Sequence, residues 1–243
     1  MDNRWKGLRD GTRQKLETRD YSRDPLARRL STSGVGGGEL VTGRGDLPDV
    51  WIPGVEIFQR RVFQQKGRGY FAEFTRLNEG TLHDIGLFPQ QWASALMHRD
   101  SAKGFHIHPP FIPEDVEPAD HFRELFVTSA GDYSLRQYGK EQWDVMFFLT
   151  GMCEMLLVDE RQGLDRRIMR FTIAGDSRPG PDNVAVVIPP GVSHALRSIG
   201  NEDLIMAYGT STSFNPDWEG RIESSVENSP LPPDWVDYMA SAT

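Results

Sequence analysis

Beyond residue 50 the chain is written in short apolar runs separated by Gly, Pro, Asn and Asp. The runs at 55–59, 69–74, 144–149, 154–159, 168–173, 183–188 and 204–208 are rich in β-branched, aromatic and other large apolar residues. Each is short and bounded by turn formers, a pattern that predicts strands of a sandwich or barrel. No 3.6-residue periodicity is sustained through this region. The stretch 109–143 is too long for a plain loop, and residues 118–126 predict a short helix with Pro118 or Asp120 near its start. That insert is either a lid over a pocket mouth or a surface excursion. Residues 1–50 lack the pattern. The segment 31–39 has the composition of a flexible linker, and no Lys-Ser/Thr pair follows its glycines as a phosphate loop requires. The expected organisation is an irregular extension over 1–50, an all-β domain over 51–225 carrying the insert, and a Pro-rich tail over 226–243.

Charge narrows the function classes. The net charge of the 243 residues is −8, which argues against nucleic acid as a partner. Residues 1–50 hold 10 basic and 8 acidic residues, so the acidic balance lies beyond them. The longest apolar runs fall far short of the roughly 20 residues a membrane-spanning helix needs, and the N-terminus carries no apolar segment of the secretory kind. One cysteine, Cys153, excludes an intrachain disulfide and suits a reducing, cytoplasmic setting. Its apolar run predicts a packing role. Trp143, Phe147 and Phe148 read as core or dimer contacts.

Candidate chemistry gathers on histidines. The segment Lys-Gly-Phe-His-Ile-His (103–108) sets His106 and His108 two apart on a predicted strand, where both side chains share a face. The segment Ile-Pro-Pro-Gly-Val-Ser-His (188–194) sets a Pro-Gly turn before a strand bearing His194. A lone histidine is more often hydrogen-bonded in place than catalytic; three converging ones favour a site.

Glycine, His-X-His, an acid, then Pro-X-Gly-X-X-His resembles the two-part cupin signature. The closer resemblance is to the nucleotide-sugar epimerases typified by thymidine-diphosphate-4-dehydrorhamnose 3,5-epimerase, over about residues 52–222. Ile-Pro-Gly-Val-Glu-Ile (52–57), Gly-Arg-Gly-Tyr-Phe-Ala-Glu-Phe (67–74), Gln91, Lys-Gly-Phe-His (103–106), Ile-Pro-Pro-Gly-Val-Ser-His-Ala (188–195) and the closing 207–222 segment follow that family's motifs in order. The resemblance implies a cupin jelly-roll barrel and a homodimer with exchanged strands. It implies His106 as catalytic base and Tyr208 as catalytic acid. Arg68, Phe71, Glu73, Gln91 and Phe214 would bind the nucleotide-diphosphate sugar, the first three often in a neighbouring subunit.

The residue types suit that chemistry. A 4-keto group acidifies the protons on the adjacent carbons, and a neutral imidazole can take one near pH 7. The enolate oxygen then needs positive charge or hydrogen-bond donors, for which Lys103 and His194 are candidates. A phenol such as Tyr208 can return the proton from the opposite face. This route needs no cofactor. The resemblance also implies an Asp partner for the base near the C-terminus, where the tail offers Asp234 or Asp237.

Departures from the family pattern open other readings. Lys103 stands where the family has Arg, His108 where it has Gln, and the family's Lys in the following strand has no counterpart. His106, His108, Asp144 and His194 occupy the four ligand positions of metal-binding cupins. Three imidazoles and a carboxylate suit Fe(II), Mn(II), Ni(II) or Zn(II), and so an oxygenase or a Lewis-acid isomerase. A sugar-binding cupin without catalysis is the third reading.

Overall fold

The computed structural model describes residues 33–35, 38–40, 51–108, 142–159, 167–214 and 220–221. The expected helix at 118–126, nearly all of the insert, Asp234, Asp237 and the Pro-rich tail lie outside the described residues.

Two five-stranded antiparallel sheets face one another, as the strand-rich pattern predicts. In chain order the strands are β1 (Ser33–Val35), β2 (Gly38–Leu40), β3 (Glu56–Gln59), β4 (Arg61–Gln65), β5 (Gly69–Glu73), β6 (Gln91–Met97) and β7 (Ala102–Ile107). They continue as β8 (Asp144–Thr150), β9 (Met152–Asp159), β10 (Ile168–Ala174), β11 (Val184–Ile188), β12 (Val192–Ile199), β13 (Leu204–Thr210) and β14 (Gly220–Arg221). One sheet has the order β10-β9-β12-β7-β14, the other β3-β11-β8-β13-β6. This is the jelly-roll sandwich of the cupins.

The core sits between the sheets. Cys153, Met155 and Leu157 of β9 meet Met146 and Phe148 of β8, Val184, Val186 and Ile188 of β11, and Leu204 and Met206 of β13. The alternating residues Val145, Phe147, Ala185 and Val187 point out of the second sheet. Leu82 and Leu87 cover them. Leu82 lies on a short helix, α1 (Thr81–Ile85), that the strand pattern does not predict. Its five residues give too little length for a helical period, and Gly86, left-handed at φ 71°, ends it. Burial of Cys153 pushes its thiol pKa well above the ordinary range, in keeping with packing.

Within the stretch whose composition suits a linker, Ser33 pairs with Leu40 and Val35 with Gly38, so β1 and β2 are antiparallel partners. Arg60, at the start of the β4–β5 ribbon, is buried. Its guanidinium is paired with Asp176 at 2.7 Å and lies 4.7 Å from the centre of the Phe147 ring. Among the described residues, no helix is long and apolar enough to cross a membrane.

Candidate active site

A cavity of about 280 Å³ opens between the sheets. Lys103, His106, His108 and His194 line it from one sheet, and Gln91, Asp144, Met146, Met206, Tyr208 and Thr210 from the other. Six of the expected site residues thus meet in one cavity: His106, Tyr208, His194, Lys103, Gln91 and Phe214. Phe214 stands exposed at its rim, its N–H donating to Gln91 Oε1 at 2.7 Å.

The positions follow from local backbone. His106 and His194 are direct cross-strand partners of β7 and β12, so their imidazoles share a face, with ring centres 5.8 Å apart. Lys103 and His106, three residues apart, would face opposite ways on a plain strand. The register shifts between His194 and Leu196, so three steps on β7 oppose two on β12. This bulge turns Lys103 toward the cavity as well. Gly104 makes it possible: its φ is +139°, and a Cβ there would lie 2.5 Å from Ala195 Cβ. The Lys103 ammonium donates to the Leu96 carbonyl at 3.1 Å across the cavity edge. The His108 carbonyl accepts from Gly191 N–H at 2.7 Å, which ties the end of β7 to the Pro-Pro-Gly turn before β12.

His108, Asp144 and His194 converge. His108 Nε2 lies 3.2 Å and His194 Nε2 3.8 Å from Asp144 Oδ2, and all three residues are buried. Their ligand atoms lie within 4.8 Å of one another. His106 is not a member of this close group, so the four-ligand set expected from the motif is three residues here, with His106 beside it. Burial alone would raise the Asp144 pKa. The charge and hydrogen bond of His108, with help from His194 and Gln142, outweigh it and hold the pKa down at about 2. Burial drives His194 down to about 4, and the attraction of Asp144 offsets this only in part.

Gln142 is a cavity residue that motif reading missed. Its Nε2 donates to Asp144 Oδ1 at 2.9 Å, and Thr212 Oγ1 donates to its Oε1 at 2.7 Å. No spacing rule marks it; its neighbours come together only when β13 returns beside β8.

Arg68, Phe71 and Glu73 do not line this cavity. They belong to the β4–β5 ribbon and its turn, where Phe71 stacks on Phe63 at 6.1 Å and Glu73 pairs with Arg76 at 2.9 Å.

Comparison with known proteins agrees with this architecture. The chain is 26% identical over 169 residues to the spore coat polysaccharide biosynthesis protein SpsL of Bacillus subtilis, covering 68% of this chain and 84% of that one. Its structure is similar to a dTDP sugar isomerase of Desulfovibrio desulfuricans, with TM-score 0.51 and 15% identity, over 74% of this chain and 88% of the other. It is also similar to dTDP-4-dehydrorhamnose 3,5-epimerase of Bacillus anthracis, solved with TDP and pyrophosphate bound, with TM-score 0.50 and 13% identity, over 74% and 84% of the two chains. No family model matches the chain. The expected cupin fold is thus matched by solved structures.

Proposed function

We propose that the chain epimerises a nucleotide-diphosphate 4-keto-6-deoxy sugar. The observation that carries this reading is that His106 and Tyr208 line one cavity from opposite sheets, so a sugar ring between them has a base on one face and an acid on the other. His106 removes the proton beside the keto group. The enolate oxygen takes hydrogen bonds or charge from Lys103 and His194, and Tyr208 delivers a proton to the opposite face. SpsL, named for polysaccharide biosynthesis, and the epimerase solved with TDP bound support the substrate class. The exposed Phe71 and the Arg68 turn suit a homodimer in which the ribbon of one copy meets the nucleotide in the other, in a cytoplasmic enzyme. The test is product analysis by NMR with a thymidine-diphosphate 4-keto-6-deoxy hexose. Tyr208→Phe should retain proton exchange and lose inversion; unchanged inversion would refute the assignment.

A second reading, a metal-dependent isomerase or oxygenase, draws support from the convergence of His108, Asp144 and His194. Around a metal with bonds of about 2.1 Å, adjacent ligand atoms sit about 3.0 Å apart at right angles and about 3.4 Å apart in a tetrahedron. The 3.2 Å and 3.8 Å separations are close to those spacings. Two imidazoles and a carboxylate fit Fe(II), Mn(II), Ni(II) or Zn(II). Bound there, a divalent ion would supply Lewis-acid polarisation of a carbonyl oxygen. Calorimetric titration with Zn(II) tests this: one equivalent should bind wild type and His106→Ala but not Asp144→Ala. Absence of binding to wild type would end this reading.

A further inference from the structure

The Gln142 carboxamide sits at the junction of Asp144, His108 and Thr212. A carboxylate accepts hydrogen bonds and does not donate them, so the amino end of Gln142 must face Asp144. That leaves its carbonyl for the Thr212 hydroxyl, as the 2.7 Å contact has it. The same amino group lies 3.3 Å from His108 Nε2. Thr212 is itself fixed, its carbonyl accepting from Thr210 Oγ1 at 2.6 Å. The backbone beside Gln142 is pinned twice, Trp143 N–H donating to Ser211 Oγ at 2.8 Å and Ser211 N–H to the Trp143 carbonyl at 2.9 Å. With Oδ1 of Asp144 held by Gln142, Oδ2 turns to His108 and His194.

We propose that Gln142 is a positioning residue that clamps the Asp144 carboxylate and, through it, orients the imidazoles of His108 and His194 in the cavity. Thr212 is the anchor of the clamp. The kinetic consequence rests on the reading of this cavity as the reacting site; the geometric one does not.

His194 gives the decisive readout: its Nε2 lies 3.8 Å from Asp144 Oδ2, and the other route from Gln142, through the His108 ring 5.7 Å away, survives removal of Asp144. Nitrogen-15 NMR of the imidazole rings is measured on the full chain for wild type, Gln142→Leu, Thr212→Val, Asp144→Ala and the double variant Gln142→Leu/Asp144→Ala. Gln142→Leu should shift and broaden the His108 and His194 ring signals, with much smaller changes at His106. Thr212→Val should act in the same direction by less. In the Asp144→Ala background, Gln142→Leu should no longer move His194. An unmoved His194 in Gln142→Leu, an equal shift at His106, or a His194 shift that persists without Asp144 would each overturn the proposal. If Asp144→Ala fails to fold, the graded response to Gln142→Leu and Thr212→Val decides alone. With a keto-sugar substrate, Gln142→Leu should lower kcat about tenfold and leave KM within about twofold, as for outer partners that orient a site residue. Should wild type turn over no keto sugar, the ring signals still decide the role of Gln142, so the two proposals fail separately.

Discussion

Gly104→Ala should do more damage than any nearby change of one methyl group, and the structure says why. The added Cβ would sit 2.5 Å from Ala195 Cβ, 2.7 Å from Ala195 Cα and 2.9 Å from the His194 carbonyl oxygen. Two of those three atoms are backbone, so no flexible side chain can swing away. Overpacking of this kind costs about 1–3 kcal/mol. The φ of +139° adds strain for a residue with a Cβ, about 1–3 kcal/mol more. Together they remove a large part of the roughly 5–15 kcal/mol that holds an ordinary domain folded. Two further glycines separate the contributions. Gly67 has a positive φ of +73° and open space around it, so Gly67→Ala should cost the strain alone. Gly180 has open space and no positive φ, so Gly180→Ala should be neutral or more stable by up to about 1 kcal/mol. Urea denaturation followed by tryptophan fluorescence measures all three. The expected order of loss is Gly104→Ala, then Gly67→Ala, then Gly180→Ala. A Gly104→Ala protein within about 1 kcal/mol of wild type would show that β7 and β12 separate easily. The bulge would then not be what aims Lys103 and His106.

Acid should weaken the fold in a window set by His194. Its folded pKa of about 4 lies below the ordinary 6.5, so the unfolded chain binds the proton first. The His194 contribution to stability is complete above pH 6.5 and is lost as pH drops toward 4. His194→Asn should flatten that slope in urea denaturation curves taken between these pH values, and an unchanged slope would assign it elsewhere. Arg60→Met should destabilise the fold by about 3–5 kcal/mol, because it leaves Asp176 buried without its guanidinium partner. Arg60→Met/Asp176→Leu should recover much of that loss in the same assay.

Much of the fold is legible in the sequence. Within the run at 183–188, Val184–Ile188 is apolar on both faces and forms β11, buried throughout. His106 and His194 were legible because strand periodicity and the Pro-Gly turn fix which face each takes, and Tyr208 was legible only through the resemblance. The ligand-set resemblance already joined His108 to Asp144 across the insert. What sequence could not carry was contact made by chain return without a motif, as where Gln142 meets Thr212 across 70 residues. The bulge at Gly104 depends on the Ala195 backbone of another strand. Arg68, Phe71 and Glu73 carried a binding role by resemblance, and in a single chain they stand away from the cavity.

The most direct test of the proposed chemistry follows deuterium from solvent into a thymidine-diphosphate 4-keto-6-deoxy hexose by NMR, using wild type and His106→Ala. Deuterium entering at carbon 3 or carbon 5 with wild type and not with the variant is the result expected. Exchange that survives in His106→Ala would contradict the assignment of His106 as the base.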